Sequence, residues 1–237
     1  LGFVDYLDNL NPEQRKKIFG KALKYFIPWR AVWNANSLST PCRPVFDASH
    51  PTTSGLSLNN ILAKGRNNMN KLVQIFIRWL IRGCGFHADI QKMYNTVRLH
   101  EDHWNYQLYL WDKNLDPKVE PKVKVIKTLI YGVKPSGNQV ERALRETANL
   151  QKEEFPRPAE IVNDDFYVDD NISGEVNYEV AKDVTDDLST VIGKTGFNFK
   201  GITFSGFDPP EHLSNPDKSV NVGGLKWFSK EALLGLT

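Results

Sequence analysis

Hydrophobic and polar positions change period several times along the chain, and each change marks an element. Asn11-Pro12-Glu13-Gln14 opens a helix: Asn11 can cap it, Pro12 suits its first position, and Gln14 sits where a capping box needs it. Ile18, Ala22, Leu23 and Phe26 follow at helical spacing, which predicts a helix running on until Pro28 stops it. From Ala31 to Asp47 two short strands flank a turn at Asn34–Pro41, and Pro44 marks the return strand as an edge or a bulge. Over 70–82 a helix gathers Leu72, Ile75, Phe76, Trp79 and Leu80 on one face, with Gly83 as its C-cap. Phe86–Ile90 reads as a strand running into a carboxylate, Asp89, and Gln91–Tyr94 as one turn of helix. Strands at 106–111 and 123–131, a turn at Gly132–Gly137 and a helix over 138–152 come next. Val140, Leu144 and Ala148 share a side of that helix, and Pro156 and Pro158 end it. The final third holds a helix over 177–192 with Val180, Val184, Leu188 and Val191 on one face. A strand over 197–204 follows it, and a last strand over 220–227 contains Gly223-Gly224.

Between the helices over 138–152 and 177–192 lies Tyr167-Val168-Asp169-Asp170, with Phe166 before it and Ile172 after. Apolar residues flanking two adjacent acids read as a β-hairpin whose tight turn carries the carboxylates. Neighbouring carboxylates repel unless a cation lies between them. Taken alone, the pair reads as a solvated acidic turn, and only the rest of the chain can favour a metal site over that.

Composition narrows the class. With 237 residues, 41% of them apolar and 24% charged, the chain can bury a core as one large domain or two small ones. No apolar run approaches the ~18 residues of a membrane span. Cys42 and Cys84 form no disulfide framework and no zinc pattern, and suit a reducing compartment. Opening on Leu1 and closing on Leu-Gly-Leu-Thr suits a piece of a longer polypeptide. The net charge of +2 conceals an asymmetry: residues 1–100 carry 14 Lys/Arg against 5 Asp/Glu, and residues 151–200 carry 5 against 12. A basic first half suits a phosphate backbone or a triphosphate, and a later acidic patch suits divalent metal; solvated helix faces account for the same charges. Carboxylates converging from two strands are what two-metal phosphoryl transfer needs, because each Mg²⁺ takes oxygen ligands and the pair clamps the attacking and leaving oxygens.

Six motifs then fall in order over about residues 25 to 228. They are Ser39-Thr40-Pro41-Cys42-Arg43-Pro44-Val45-Phe46-Asp47-Ala48-Ser49, Ser57-Leu58-Asn59-Asn60-Ile61-Leu62, Ala88-Asp89-Ile90-Gln91-Lys92-Met93-Tyr94, Tyr131-Gly132-Val133-Lys134-Pro135-Ser136, Tyr167-Val168-Asp169-Asp170 and Val222-Gly223-Gly224-Leu225-Lys226-Trp227. Each alone is weak. As an ordered set they resemble the reverse transcriptases, most closely those of BEL/Pao long-terminal-repeat retrotransposons.

That resemblance implies an α+β fold: the fingers and palm of a right-hand polymerase, an antiparallel palm sheet backed by helices, and the thumb largely absent. It divides the chain into fingers mixed with palm over 1–85, palm over 86–111, a connection over 112–135, and palm through primer grip over 136–237. It implies an RNA-directed DNA polymerase whose two Mg²⁺ ions, with Mn²⁺ as an alternative, are held by Asp89, Asp169, Asp170 and the Ile90 carbonyl. Arg43 would contact the incoming triphosphate, and Tyr94 would exclude a 2′-hydroxyl; a core aromatic is the other reading of Tyr94. Tyr131, Gly132 and Ser136 would shape the nucleotide pocket. Lys200 matches a lysine that assists pyrophosphate departure or is a plain strand lysine. Gly224, Leu225, Lys226 and Trp227 would form the primer grip. Where many relatives carry a triphosphate-binding lysine, the simplest alignment gives Asn34, and Gly137 replaces the usual proline. The implied partners are an RNA or DNA template with its primer, a dNTP, and the protease, ribonuclease H and integrase of a pol polyprotein, in cytoplasmic retrotransposon particles and without a membrane. Two rivals stay open: an inactive retroelement-derived fragment that binds nucleic acid, and the palm of an RNA-dependent RNA polymerase. The five histidines, His87 among them, have no ligand spacing and read as core or solvated residues.

Overall fold

The structure, a computed structural model, describes residues 2–33, 41–112 and 118–235. In chain order its elements begin with β1 (Val4–Tyr6), α1 (Pro12–Phe19), β2 (Trp29–Trp33), β3 (Cys42–Phe46), α2 (Leu58–Ile61) and α3 (Leu72–Leu80). There follow β4 (Cys84–Ile90), α4 (Met93–Thr96), β5 (Leu108–Trp111), β6 (Lys122–Ile126), α5 (Ser136–Asn149) and α6 (Pro156–Asp164). Last come β7 (Phe166–Tyr167), β8 (Asp170–Glu175), α7 (Tyr178–Gly193), β9 (Phe199–Phe204), β10 (Val220–Val222), β11 (Leu225–Phe228) and β12 (Leu233–Gly235). Helices stand beside antiparallel sheets, an α+β arrangement. Among the described residues no helix is long and apolar enough to cross a membrane. The chain divides into two compact units, one of Leu1–Arg66 with Tyr94–Val140 and one of Asn67–Met93 with Glu141–Thr237. Charge follows the same division: the first has 16 basic residues against 9 acidic, the second 14 against 19.

In the first unit, β1, β6 and β5 form an antiparallel sheet. Leu108 and Val125 of that sheet pack with Leu7, Leu10, Ile18 and Trp104. The capping box at Asn11 is present, but α1 ends at Phe19 rather than running to Pro28. Beyond Gly20 the chain changes from helical to strand period: Tyr25 and Ile27 are buried while Phe26 is exposed. Their N–H groups donate to the Asn105 and Leu108 carbonyls at 2.8 and 2.7 Å, so tertiary pairing outcompetes the helix. A second core gathers Tyr25, Ile27, Leu58, Tyr109 and Ile126, with Phe46 and Trp29 packed against it. The two-stranded β2–β3 ribbon carries Pro44 opposite Ala31, as an edge proline allows.

The second unit is built on a four-stranded antiparallel sheet in the order β7-β8-β4-β9. One face is covered by α7, whose Tyr178 ring meets Phe204 edge to face; Phe204 in turn lies against Phe86. On the other face Ile172 packs with Ile75 and Trp79 of α3 and with Val220, Val222 and Trp227. Leu80, expected on the buried face of α3, is exposed. Pro156, read as a stop, instead opens α6, its missing N–H costing nothing in the first turn. The predicted last strand is a hairpin: Gly223 and Gly224, at φ 54° and 86°, make the turn between β10 and β11, and β12 adds a third strand.

Gly83 does not cap α3, whose C-cap is Ile81. Its backbone runs so close to Val176 that a Cβ there would lie 2.2 Å from the Val176 carbonyl oxygen. Gly83→Ala is therefore expected to destabilise the protein by about 1–3 kcal/mol in a urea titration, since backbone must move to admit one methyl group.

Candidate active site

The acids come together through strand register. β8 runs antiparallel to β4 with Asp170 opposite Asp89 and Ile172 opposite His87. Strand side chains alternate, so His87 and Asp89 share a face with their two partners. β7 and β8 pair Tyr167 with Asp170, which leaves Val168-Asp169 as a two-residue turn. The acid-bearing hairpin is thus as expected, with Asp169 in the turn and Asp170 the first residue of the return strand. Val168 takes a φ of 58°, an uncommon conformation for a β-branched residue. The Ile90 N–H donates to the Asp169 carbonyl at 2.9 Å and holds the turn against the end of β4.

On the other side of β4, pairing with β9 shifts register between Ala88 and Ile90. Lys200 of β9 there places its Nζ 2.6 Å from Oδ1 of Asp89. Lys200 is thus the ion-pair partner of this oxygen. Burial pushes the Asp89 carboxyl above the usual carboxylate range; Lys200 opposes the shift and Asp170 adds to it. Asp169 is pushed up as well, by burial first and then by repulsion from Asp89. The Asp170 carboxylate receives a contact from His87, Nε2 to Oδ1 at 3.0 Å.

The donor set tests the fit to a cation. Three carboxylates and a strand-end carbonyl are all hard oxygen donors, the kind of ligand that Mg²⁺ or Mn²⁺ takes. Among the described residues no three His, Cys, Asp or Glu side chains are drawn tightly enough together to ligate a single ion, and Lys200 is the cation beside Asp89.

The predicted nucleotide-pocket residues of the first unit are placed as follows. Arg43 lies exposed on β3, opposite Val32. Tyr94 is buried and its ring lies 3.9 Å from that of the exposed Tyr131. Ser136 is buried with its hydroxyl unpartnered. Gly132 and Lys134 are fastened to Asn59, whose Nδ2 donates to the Gly132 carbonyl and whose Oδ1 accepts from the Lys134 N–H, each at 2.8 Å. The same Nδ2 donates to Ser49 Oγ at 2.8 Å, so one amide ties three of the sequence motifs. Asn34 lies outside the described residues. In the second unit Gly224 is a turn residue, Leu225 pairs with Val222, Lys226 pairs with Asp217 at 2.5 Å, and Trp227 is buried.

Two residues without an assigned role stand next to these sites. Asn59 was marked by its place in a motif, though its type alone gave no hint of three partners. His87 had a stronger signal: it sits two residues before Asp89 on the same strand, hence on the same face. It is a core residue, as one of the two readings had it, and its ring also bonds to Asp170. No protein-family model matches the chain, and no curated protein matches it.

Proposed function

We propose that the chain is the fingers and palm portion of an RNA-directed DNA polymerase that transfers a nucleotide from a dNTP to a primer 3′-hydroxyl. The observation that carries this reading is the pairing of Asp89 with Asp170 across adjacent strands, with Asp169 in the turn beside them. Like charges directly opposite one another destabilise a sheet, and burial has already raised two of the carboxyls. A fold that accepts this cost has a use for concentrated negative charge.

Asp89 and Asp169 would hold the cations, with Asp170 as the third acid and the Ile90 carbonyl as a further oxygen. Magnesium, when bound there, supplies the positive charge that stabilises the attacking and leaving oxygens of an in-line displacement. Lys200 supplies further positive charge at Asp89. Arg43 would grip the triphosphate with a planar guanidinium, and Tyr94 would crowd C2′ of the sugar. The basic surplus of the unit that carries them suits phosphate backbones, so template–primer binding should weaken as salt rises.

Primer extension on an RNA template decides among the readings. Incorporation of dNTPs that requires Mg²⁺ or Mn²⁺ supports this proposal. Incorporation of NTPs alone assigns the palm to RNA synthesis, and template–primer binding without extension assigns the chain to the non-catalytic, nucleic-acid-binding reading.

A further inference from the structure

His87 lies at the middle of β4, 7% exposed, between Ile172 on one neighbouring strand and Thr203 on the other. The cluster below it on that face is apolar, built from Ile75, Trp79, Ile172 and Trp227. An imidazole buried in such surroundings costs desolvation unless it forms a hydrogen bond. It forms one, with Nε2 3.0 Å from Oδ1 of Asp170. A carboxylate only accepts, so Nε2 carries the proton and donates it. We infer that His87 is a positioning residue for the carboxylate cluster: by donating to Oδ1 it fixes the Asp170 carboxylate, so that Oδ2 stays free to face the cation that Asp89 and Asp169 would hold.

The inference rests on the polymerase reading, because it gives Asp170 a cation to face. Asp170 is a strand residue with no turn backbone to restrain its side chain, and a quarter of that side chain is exposed. Without a donor on Oδ1 the carboxylate is free to rotate. Outer partners that orient ligand oxygens in this way change metal affinity when removed, by about ten- to a hundredfold.

Mn²⁺ titration followed by electron paramagnetic resonance reads the effect without any turnover. Wild type, H87F, H87Q and D169N are compared, each with its thermal melt and its template–primer affinity. H87F removes the donor at similar volume and is expected to weaken Mn²⁺ binding about ten- to a hundredfold, with template–primer affinity unchanged. H87Q keeps an N–H donor on a flexible stem and is expected to recover most of the loss. If H87F does not fold, H87L serves in its place. A folded H87F or H87L that binds Mn²⁺ like wild type, while D169N does not, overturns the role of His87 and leaves the polymerase reading standing. An H87Q as weak as the apolar variants assigns the effect to packing and also overturns it. A wild-type protein that binds no Mn²⁺ overturns the inference and the metal-dependent reading together.

Discussion

Asp169→Asn should abolish primer extension, lowering the rate by at least about a thousandfold, the upper range for losing one preorganised charge-stabilising group, while template–primer binding stays intact. The substitution is nearly isosteric and keeps the Val168-Asp169 turn, whose bond to the Ile90 N–H uses the backbone carbonyl of residue 169. What it removes is a negative charge that burial and Asp89 already resist. A second outcome follows with the opposite sign. A carboxyl whose folded pKa is raised binds its proton more tightly in the native state, so between the unfolded value near 3.8 and the raised folded value stability falls as pH rises. At neutral pH and without divalent metal, ionised Asp89 and Asp169 therefore weigh against folding. Asp169→Asn should raise the melting temperature of the metal-free protein at pH 7, with the gap to wild type closing in acid. Urea or thermal melts across pH, alongside gel-based primer extension, check both halves. Extension at the wild-type rate would sink the assignment of Asp169.

Trp227→Ala should cost about 3–5 kcal/mol in a urea titration, the range for emptying a buried aromatic site. Trp227 is 2% exposed. Its ring meets Trp79 edge to face at 4.9 Å between centroids, and the same cluster contains Ile75, Ile172 and Val222. The indole thus joins α3 and the β10–β11 hairpin to the face of the sheet that also bears the acids. If this hairpin grips a primer, it does so with the turn backbone and Lys226, and Trp227 serves as its foundation. Lys226→Ala removes an ion pair with Asp217 at the surface and should leave stability little changed. A Trp227→Ala protein as stable as wild type would show that the hairpin is not anchored by this ring.

The strands that bring the acids together were legible in the sequence because strand period and turn chemistry are local. Phe86–Ile90 alternates, and Tyr167–Ile172 encloses a two-residue turn. Their register was not legible. That Asp89 faces Asp170 depends on hydrogen bonds between segments some eighty residues apart, which no window of sequence contains. The ambiguous signals failed for physical reasons. Pro156 suits either the end of one helix or the first turn of the next, and the chain uses the second option. Leu23 and Phe26 fitted a helical period, yet the backbone there had partners waiting in Asn105 and Leu108. Gly223-Gly224 could sit within a strand or turn it, and both residues adopt the positive φ that only a turn explains. His87 was passed over because a ligand pattern was sought, whereas its bond to Asp170 follows from alternation along a single strand.

Asn59 makes three side-chain hydrogen bonds at once, to Ser49, Gly132 and Lys134, and both of its N–H donors are used. Aspartate would lose both donations, and leucine all three bonds. The loops it joins are far apart in the chain but interchangeable only as a set. A homologous graft of the Gly132–Lys134 loop alone would arrive without its matching amide, and a graft of the Asn59 segment alone would find the wrong carbonyl. Descent should therefore pass these three stretches on together, each constraining what substitution the other two can accept.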